Sequence, residues 1–185
     1  MRLTLKKNRG TRLIIRGQLC FAPWLGGSGR TSILLGERAT LEIAGDFGIG
    51  DGVRISLGRE SRLHFGGRKA ESASGITCDA TVLVQREVRV GSDFICAWGL
   101  FITDSDWHHI EGQEYQSDVV IGDGVWVAQG ATVLKGTSIA SGCIVASQCV
   151  VHKQIIPANC LVAGNPARVV KTPVKWSRDF PQNHS

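Results

Sequence analysis

The chain has 185 residues, 43% of them hydrophobic, with 23 glycines, only 6% aromatic residues and a net charge of +5. That length implies one domain with appendages. The charge mildly favours anionic partners such as phosphate-bearing cofactors or lipid head groups, but no basic motif interleaved with aromatics gives ground for a nucleic-acid partner. No apolar run is long enough for a transmembrane segment, and Met1-Arg2-Leu3-Thr4 does not open a secretory signal, so the expected location is cytoplasmic.

Residues 1–30 are dense in Arg2, Lys6, Lys7, Arg9, Arg12 and Arg16. They read as a capping segment with a short strand at LIIRG and a turn at Gly26-Gly27-Ser28-Gly29. Solenoid ends need polar caps; the alternative is a patch that touches the inner membrane face or a lipid-linked substrate. From Ile43 an aliphatic residue recurs every six positions, at Ile43, Ile49 and Ile55. The frame slips between 59 and 75, with a polar excursion at 66–75. It is expected to resume at Cys78, Val84, Val90, Cys96 and Ile102, to break over 104–118, and then to run cleanly to Val151.

The cleanest run is 121–150, which reads in sixes as IGDGVW VAQGAT VLKGTS IASGCI VASQCV. The first place of each block is aliphatic (Ile121, Val127, Val133, Ile139, Val145). The second is small except at Leu134, and the fifth is small or β-branched. A period of six is neither that of a lone strand nor that of a helix; it is the hexapeptide repeat of a parallel β-helix, three blocks to a triangular coil. The first place fills the interior and the small places fit the corners. Repeats on both sides of 104–118 make that stretch an excursion from one solenoid rather than a domain boundary. The expected organisation is a cap over 1–30, a β-helix over 31–171 with the loop inserted, and a tail over 172–185. Ile155-Ile156-Pro157 begins a crossover, 165–171 reads as a return strand, and the tail holds Pro173, Trp176 and Pro181.

The six cysteines form no C-x-x-C pair and read as small buried hydrophobes in a reducing compartment. Cys143 and Cys149 take the fifth place of their blocks. Cys78 and Cys96 are expected at the aliphatic place. Cys96 is near the loop, but a core position would desolvate its thiolate, which argues against a nucleophile.

The loop TDSDWHHIEGQEYQSD carries the chemistry-bearing residues. Loops that leave a regular scaffold are where function concentrates. A histidine with carboxylates a few residues away has the makings of a general base, since a carboxylate can orient the ring and stabilise the imidazolium. His108 and His109 are the candidates, with Asp104 and Asp106 as orienting groups. Adjacent histidines in extended chain point apart, and His64 and His152 belong to other coils, so no metal is expected. Lys153, Arg168 and Lys171 gather cations near the C-terminal end, suited to phosphate. Trp126, at the outward sixth place, is expected to pack against another subunit or a ligand.

Together the D-x-D-W-H loop, Ile121-Gly122-Asp123-Gly124-Val125-Trp126 and the G-N-P-A-R-V-V-K run at 164–171 resemble the left-handed β-helix acyltransferases of the hexapeptide-repeat class. The resemblance covers roughly 43–171 and is to the maltose, galactoside and capsular-polysaccharide or O-antigen O-acetyltransferase branch. It implies an all-β, left-handed parallel β-helix and a homotrimer with acetyl-CoA between neighbouring solenoids. His108 falls on the loop histidine, with His109 as the alternative. Cofactor positions fall on Trp126, Ala128 and Gln129, on Ala146 and Ser147, on His152 and Lys153 (where the family has a Thr-Lys pair), and on Arg168 and Lys171. The two acceptor-binding places fall near Thr77 and Gln85, which are not the family's Asn and Asp. The implied reaction is acetyl transfer from acetyl-CoA to a hydroxyl of a sugar or glycan precursor, with His108 as base and backbone N–H groups of a neighbouring coil on the oxyanion. The alternatives are an N-acetyltransferase of an amino sugar, a non-catalytic β-helical scaffold, and a γ-type carbonic anhydrase, which needs a third histidine just beyond the loop.

Overall fold

The computed structural model describes residues 2–22, 27, 29–69 and 74–178. Parts of two expected features, the 26–29 turn and the 66–75 excursion, lie outside them, as does the tail beyond 178. Within the described residues the chain is a left-handed parallel β-helix with strands and turns only. The first coil is β1 Arg2–Lys7, β2 Arg12–Ile15 and β3 Leu19–Ala22. The second is β4 Arg30–Leu35, β5 Thr40–Ile43 and β6 Phe47–Gly50. The third is β7 Arg54–Leu57, β8 Arg62–Gly67 and β9 Gly75–Ile76. The fourth is β10 Thr81–Val84, β11 Glu87–Ser92 and β12 Ile95–Cys96. The fifth is β13 Phe101–Thr103, β14 Val119–Ile121 and β15 Trp126–Val127. The sixth is β16 Thr132–Val133, β17 Ser138–Ile139 and β18 Ile144–Val145. The seventh is β19 Val150–Val151, β20 Ile155–Ile156 and β21 Leu161–Ala163, after which β22 Arg168–Lys171 turns back antiparallel onto β21. The first strand of every coil builds the first face, the second strand the second face and the third strand the third.

Three edges join these faces, and the site depends on which edge a residue occupies. The first edge lies between first and second faces, the second edge between second and third, and the third edge between third and first.

Interior side chains stack in columns. On the third face Ile49, Ile76, Cys96, Val127, Val145 and Val162 lie in successive register, each at most 3% exposed. The fifth place points into the corner: Val125, Ala131, Thr137, Cys143 and Cys149 are all buried. The turn itself is made by the fourth place, which takes the left-handed conformation at Gly124, Gly130, Gly136 and Gly142. At Gly130 the backbone has φ +66°, a conformation that costs glycine nothing, and an added Cβ would have to displace the Gln148 side-chain amide.

Two sequence expectations need correction. The upstream frame is set by Ile76 and Val82, not by Cys78 and Val84: Ile76 pairs with Ile49, and Val82 with Ile55. The early strands are longer and turn two residues inward, as at Leu41 and Ile43, Leu63 and Phe65, Val88 and Val90. The wider coil carries extra residues, which shift any fixed six-residue frame. The stretch 59–75 accordingly contains β8, with Phe65 buried against Phe47 at 4.6 Å between ring centroids. The solenoid also continues past Val151: Ile155–Ile156 and Leu161–Ala163 extend two faces.

Residues 2–22 make a full turn whose strands pair in parallel with the second coil. The tail runs back along the second edge: Val174 N–H donates to Asn159 O (2.8 Å), the Trp176 indole N–H to Gly124 O (3.0 Å) and the Arg178 guanidinium to Asp93 O (3.1 Å).

The columns predict a contrast on one strand ladder. Ile139→Ala, at 1% exposure, should lower unfolding free energy by about 2–5 kcal/mol. Ile155→Ala, at 85% exposure, should stay within about 0.5 kcal/mol. Denaturant unfolding at one fixed protein concentration checks both.

Candidate active site

The loop leaves the first face after Thr103 and re-enters the second face at Val119, so it projects from the first edge. Parallel pairing of β13 with β10 and of β14 with β11 leaves no room for extra residues inside the stack. They are expelled as a two-armed loop. An antiparallel bridge joins Ser105 to Gln116, Asp106 N–H donates to Tyr115 O (2.8 Å), and Ser117 N–H to Asp104 O (2.8 Å).

Asp104 anchors the loop to the preceding coil. Its carboxylate is fully buried and accepts the backbone N–H groups of Gln85 (2.8 Å) and Arg86 (2.7 Å). Burial outweighs those hydrogen bonds and holds its carboxyl above the ordinary value. Each oxygen thus accepts a backbone N–H of the preceding coil, and among the described residues neither accepts a hydrogen bond from the loop imidazoles for which Asp104 was an expected orienting group. Asp106 is tied in the other direction, to the following coil, where it forms an ion pair with Lys135. The same ammonium donates to the Glu114 carbonyl on the returning arm. On that arm, Arg86 pairs with Asp118 at 2.8 Å.

Between Asp106 and His108 stands Trp107, with φ +63°. A bulky residue in the left-handed region is strained, and such strain concentrates at functional sites. Two bonds hold it: the indole N–H donates to Thr103 Oγ1 (3.2 Å), and the Trp107 N–H to Ser105 Oγ (3.0 Å). The turn presents His108 and His109 to solvent, and among the described residues neither ring makes a hydrogen bond. No three His, Cys, Asp or Glu side chains converge among the described residues.

His152 and Lys153 sit on the same edge as the loop, two coils on, between β19 and β20. Burial, then the charges of Lys153 and Lys135, push the His152 imidazole below its ordinary value, with Asp106 opposing. The remaining cofactor candidates are elsewhere. Trp126 is on the third face. Ala128, Gln129, Ala146 and Ser147 form the third edge between β15 and β16 and between β18 and β19. Arg168 and Lys171, on β22, lie beside β21 of that third face, exposed. The candidate base and cofactor residues of a single chain thus fall into two groups on different edges. The signal was present in the sequence: with three blocks to a coil, residues 104 and 152 fall one block away from 128 and 146.

Two concavities lie along these edges. A polar groove of about 480 Å³ runs along the first edge, lined by Arg59, Arg62, Gln85, Arg86, Tyr115 and Gln116 among others. An apolar slot of about 220 Å³ lies against the third face, lined by Thr77, Ile95, Cys96, Trp98 and Trp126. Gln85 and Thr77, expected together near the acceptor, are therefore on different edges. Trp126 packs against the chain's own tail, its ring 5.8 Å from that of Trp176, and remains 36% exposed where it lines the slot. Cys96 is buried in a core column and its thiol is pushed up to about 12, mainly by burial, which makes it a poor nucleophile.

Sequence signals missed Lys135, Trp176 and the groove. Lys135 stands at the third place of its block, where Asp123, Gln129, Ser141 and Ser147 are exposed, yet it is only 2% exposed.

Residues 118–153 match the family model of the bacterial transferase hexapeptide (six repeats). The fold is similar to that of the polysialic-acid-specific acetyltransferase NeuO (21% identity, TM-score 0.68, covering 98% of this chain and 91% of that one). It is also similar to the polysialic acid O-acetyltransferase OatWY (22% identity, TM-score 0.74, covering 99% and 94%). No curated protein matches the sequence. The repeat and the β-helix expected from the sequence are both found.

Asp104→Ala strands the Gln85 and Arg86 N–H groups and should cost about 1–3 kcal/mol for each donor left unpaired. A carboxyl whose folded value is raised stabilises the fold below its ordinary unfolded value, and that contribution is lost as pH rises through the raised one. Urea unfolding across that acidic window should show this slope in the parent and not in the variant.

Proposed function

We propose that this β-helix is an acyl-CoA-dependent O-acetyltransferase that moves an acetyl group from acetyl-CoA to a hydroxyl of a sugar or glycan. The observation that carries the reading is the division of the site. A strained loop presents His108 on the first edge, the edge that carries His152 and Lys153 two coils on. The wall of Trp126, Ala128, Gln129, Ala146 and Ser147, with the cations Arg168 and Lys171, occupies the third face and edge. A homotrimer would set the first edge of one chain against the third edge of the next, and closed rings are built from such heterologous contacts. The acetyltransferase descriptions of NeuO and OatWY support the reaction class.

In the cleft so formed, Arg168, Lys171, Lys153 and His152 bind the phosphate-bearing part of acetyl-CoA, and the acyl arm lies along the Trp126 wall. The acceptor enters by the groove between Tyr115–Gln116 and the Arg59–Arg62 and Gln85–Arg86 corners. His108 takes the hydroxyl proton as the oxygen bonds to the thioester carbonyl carbon. Backbone N–H groups hold the tetrahedral oxyanion. On collapse the C–S bond breaks, and the imidazolium returns its proton to the sulfur, releasing the CoA thiol and the acetyl ester. The base contributes on the order of 10²–10⁴ in rate, and holding both substrates in one cleft supplies much of the rest. The exposed Arg2, Lys6, Lys7, Arg9 and Arg12 of the first coil support contact with an anionic, lipid-linked acceptor at a membrane surface.

His108→Ala should lower acceptor-dependent CoA release by on the order of 10²–10⁴, leaving acetyl-CoA affinity and oligomeric state intact. His109→Ala should retain most activity. Thiol-release assays with a glycan panel, beside calorimetry with acetyl-CoA, check this. Loss in His109→Ala alone would move the base by one residue; loss in neither would end the general-base mechanism.

A further inference from the structure

We infer that Lys135 is a positioning residue for this reaction: its buried ammonium clasps both arms of the loop and sets His108 against the groove wall formed by Tyr115 and Gln116. The inference rests on the acetyltransferase reading for its catalytic half and on geometry alone for the clasp.

Lys135 lies on the first edge one coil beyond the loop, between β16 and β17. It is the one buried residue among the five third places of the regular run. Its ammonium bonds the Asp106 carboxylate on the outgoing arm and the Glu114 carbonyl on the returning arm. Little slack separates these contacts from the reacting groups. Asp106 is two residues from His108, and the intervening Trp107 is held in its left-handed conformation by Thr103 and Ser105. Glu114 immediately precedes Tyr115 and Gln116, the loop residues that line the groove. One cation therefore sets both the base and the acceptor wall.

Stability alone gives no reason for a lysine here. Taking an ammonium out of water costs several kcal/mol, and replacing a buried ion pair by apolar groups is often neutral or stabilising. What an apolar side chain does not supply is a multi-donor group that fixes two arms at defined angles. A misplacement of about 1 Å in a reacting group costs on the order of 10²-fold in rate.

The test compares Lys135→Met, Asp106→Asn and the double variant in the full chain, with amide hydrogen exchange and steady-state kinetics. Lys135→Met should speed exchange in 105–117 while 119–163 stays protected, and should lower kcat on the order of 10²-fold with acetyl-CoA affinity unchanged. The double variant removes the charges together, so it should regain stability but not kcat. Asp106→Asn, which keeps the lysine and weakens one clasp contact, should move the same readouts less, and it carries the test if Lys135→Met does not fold. Unchanged loop exchange overturns the clasp. Recovery of kcat in the double variant, or kcat within about threefold of the parent in Lys135→Met, overturns the positioning role. A parent that transfers acetyl to no acceptor refutes the acetyltransferase reading and this role with it, while exchange still decides the clasp.

Discussion

A parallel ladder admits no gap. Each strand of this solenoid lies beside the strand one coil earlier and one coil later, and each interior side chain sits in a column with its counterparts. A residue that has no place in a column has to leave through an edge. This constraint makes the regular run a β-helix, and it makes the irregular stretch a loop with a defined root. The loop's arms are paired to each other and pinned to the coils on both sides because the columns above and below it are already closed.

Charge does what the ladder cannot. Backbone pairing fixes where the loop begins and ends, but its root and arms are held by buried polar groups. Asp104 reaches back to the Gln85 and Arg86 amides, and Lys135 reaches forward to Asp106 and the Glu114 carbonyl. Unpaired, each of these groups would cost several kcal/mol of desolvation. The loop is thus specified by two carboxylates with opposite attachments, which the sequence displays as near neighbours of similar appearance. The same site holds His152 in a depressed-pKa setting, with Lys153 and Lys135 nearby. Protonation there would add a third positive charge.

The fold was legible where columns are narrow. In 121–150 each strand turns one aliphatic residue inward, so a period of six survives in the sequence. Upstream, strands turn two inward and coils widen, and the frame drifts to Cys78 and Val84 instead of Ile76 and Val82. The fourth-place turn was hidden because Asp79, Asp93, Gln148, Lys153 and Asn159 occupy left-handed corners of the kind that glycine occupies elsewhere in the stack. The loop histidines were legible from their composition alone. Lys135 was not, because burial by a distant insertion leaves no local mark on a residue that elsewhere in the repeat faces water. Trp176 was likewise hidden: a tail without periodicity gives no sign that it doubles back along the second edge onto Trp126. The division of the site between edges was present in the block count, which places 104 and 152 on one edge and 128 and 146 on another.

That division is the centre of the proposed acetyltransferase reading, in which two chains together complete one cleft. The most direct measurement mixes two inactive variants. His108→Ala spoils the first-edge half-site, and Gln129→Ala with Arg168→Ala spoils the third-edge half-site. Co-assembled from denatured chains, the mixture should regain a substantial fraction of parental CoA release, since some clefts would pair an intact half from each chain. Mixed oligomers that form and remain as inactive as either variant alone would contradict a site shared between subunits.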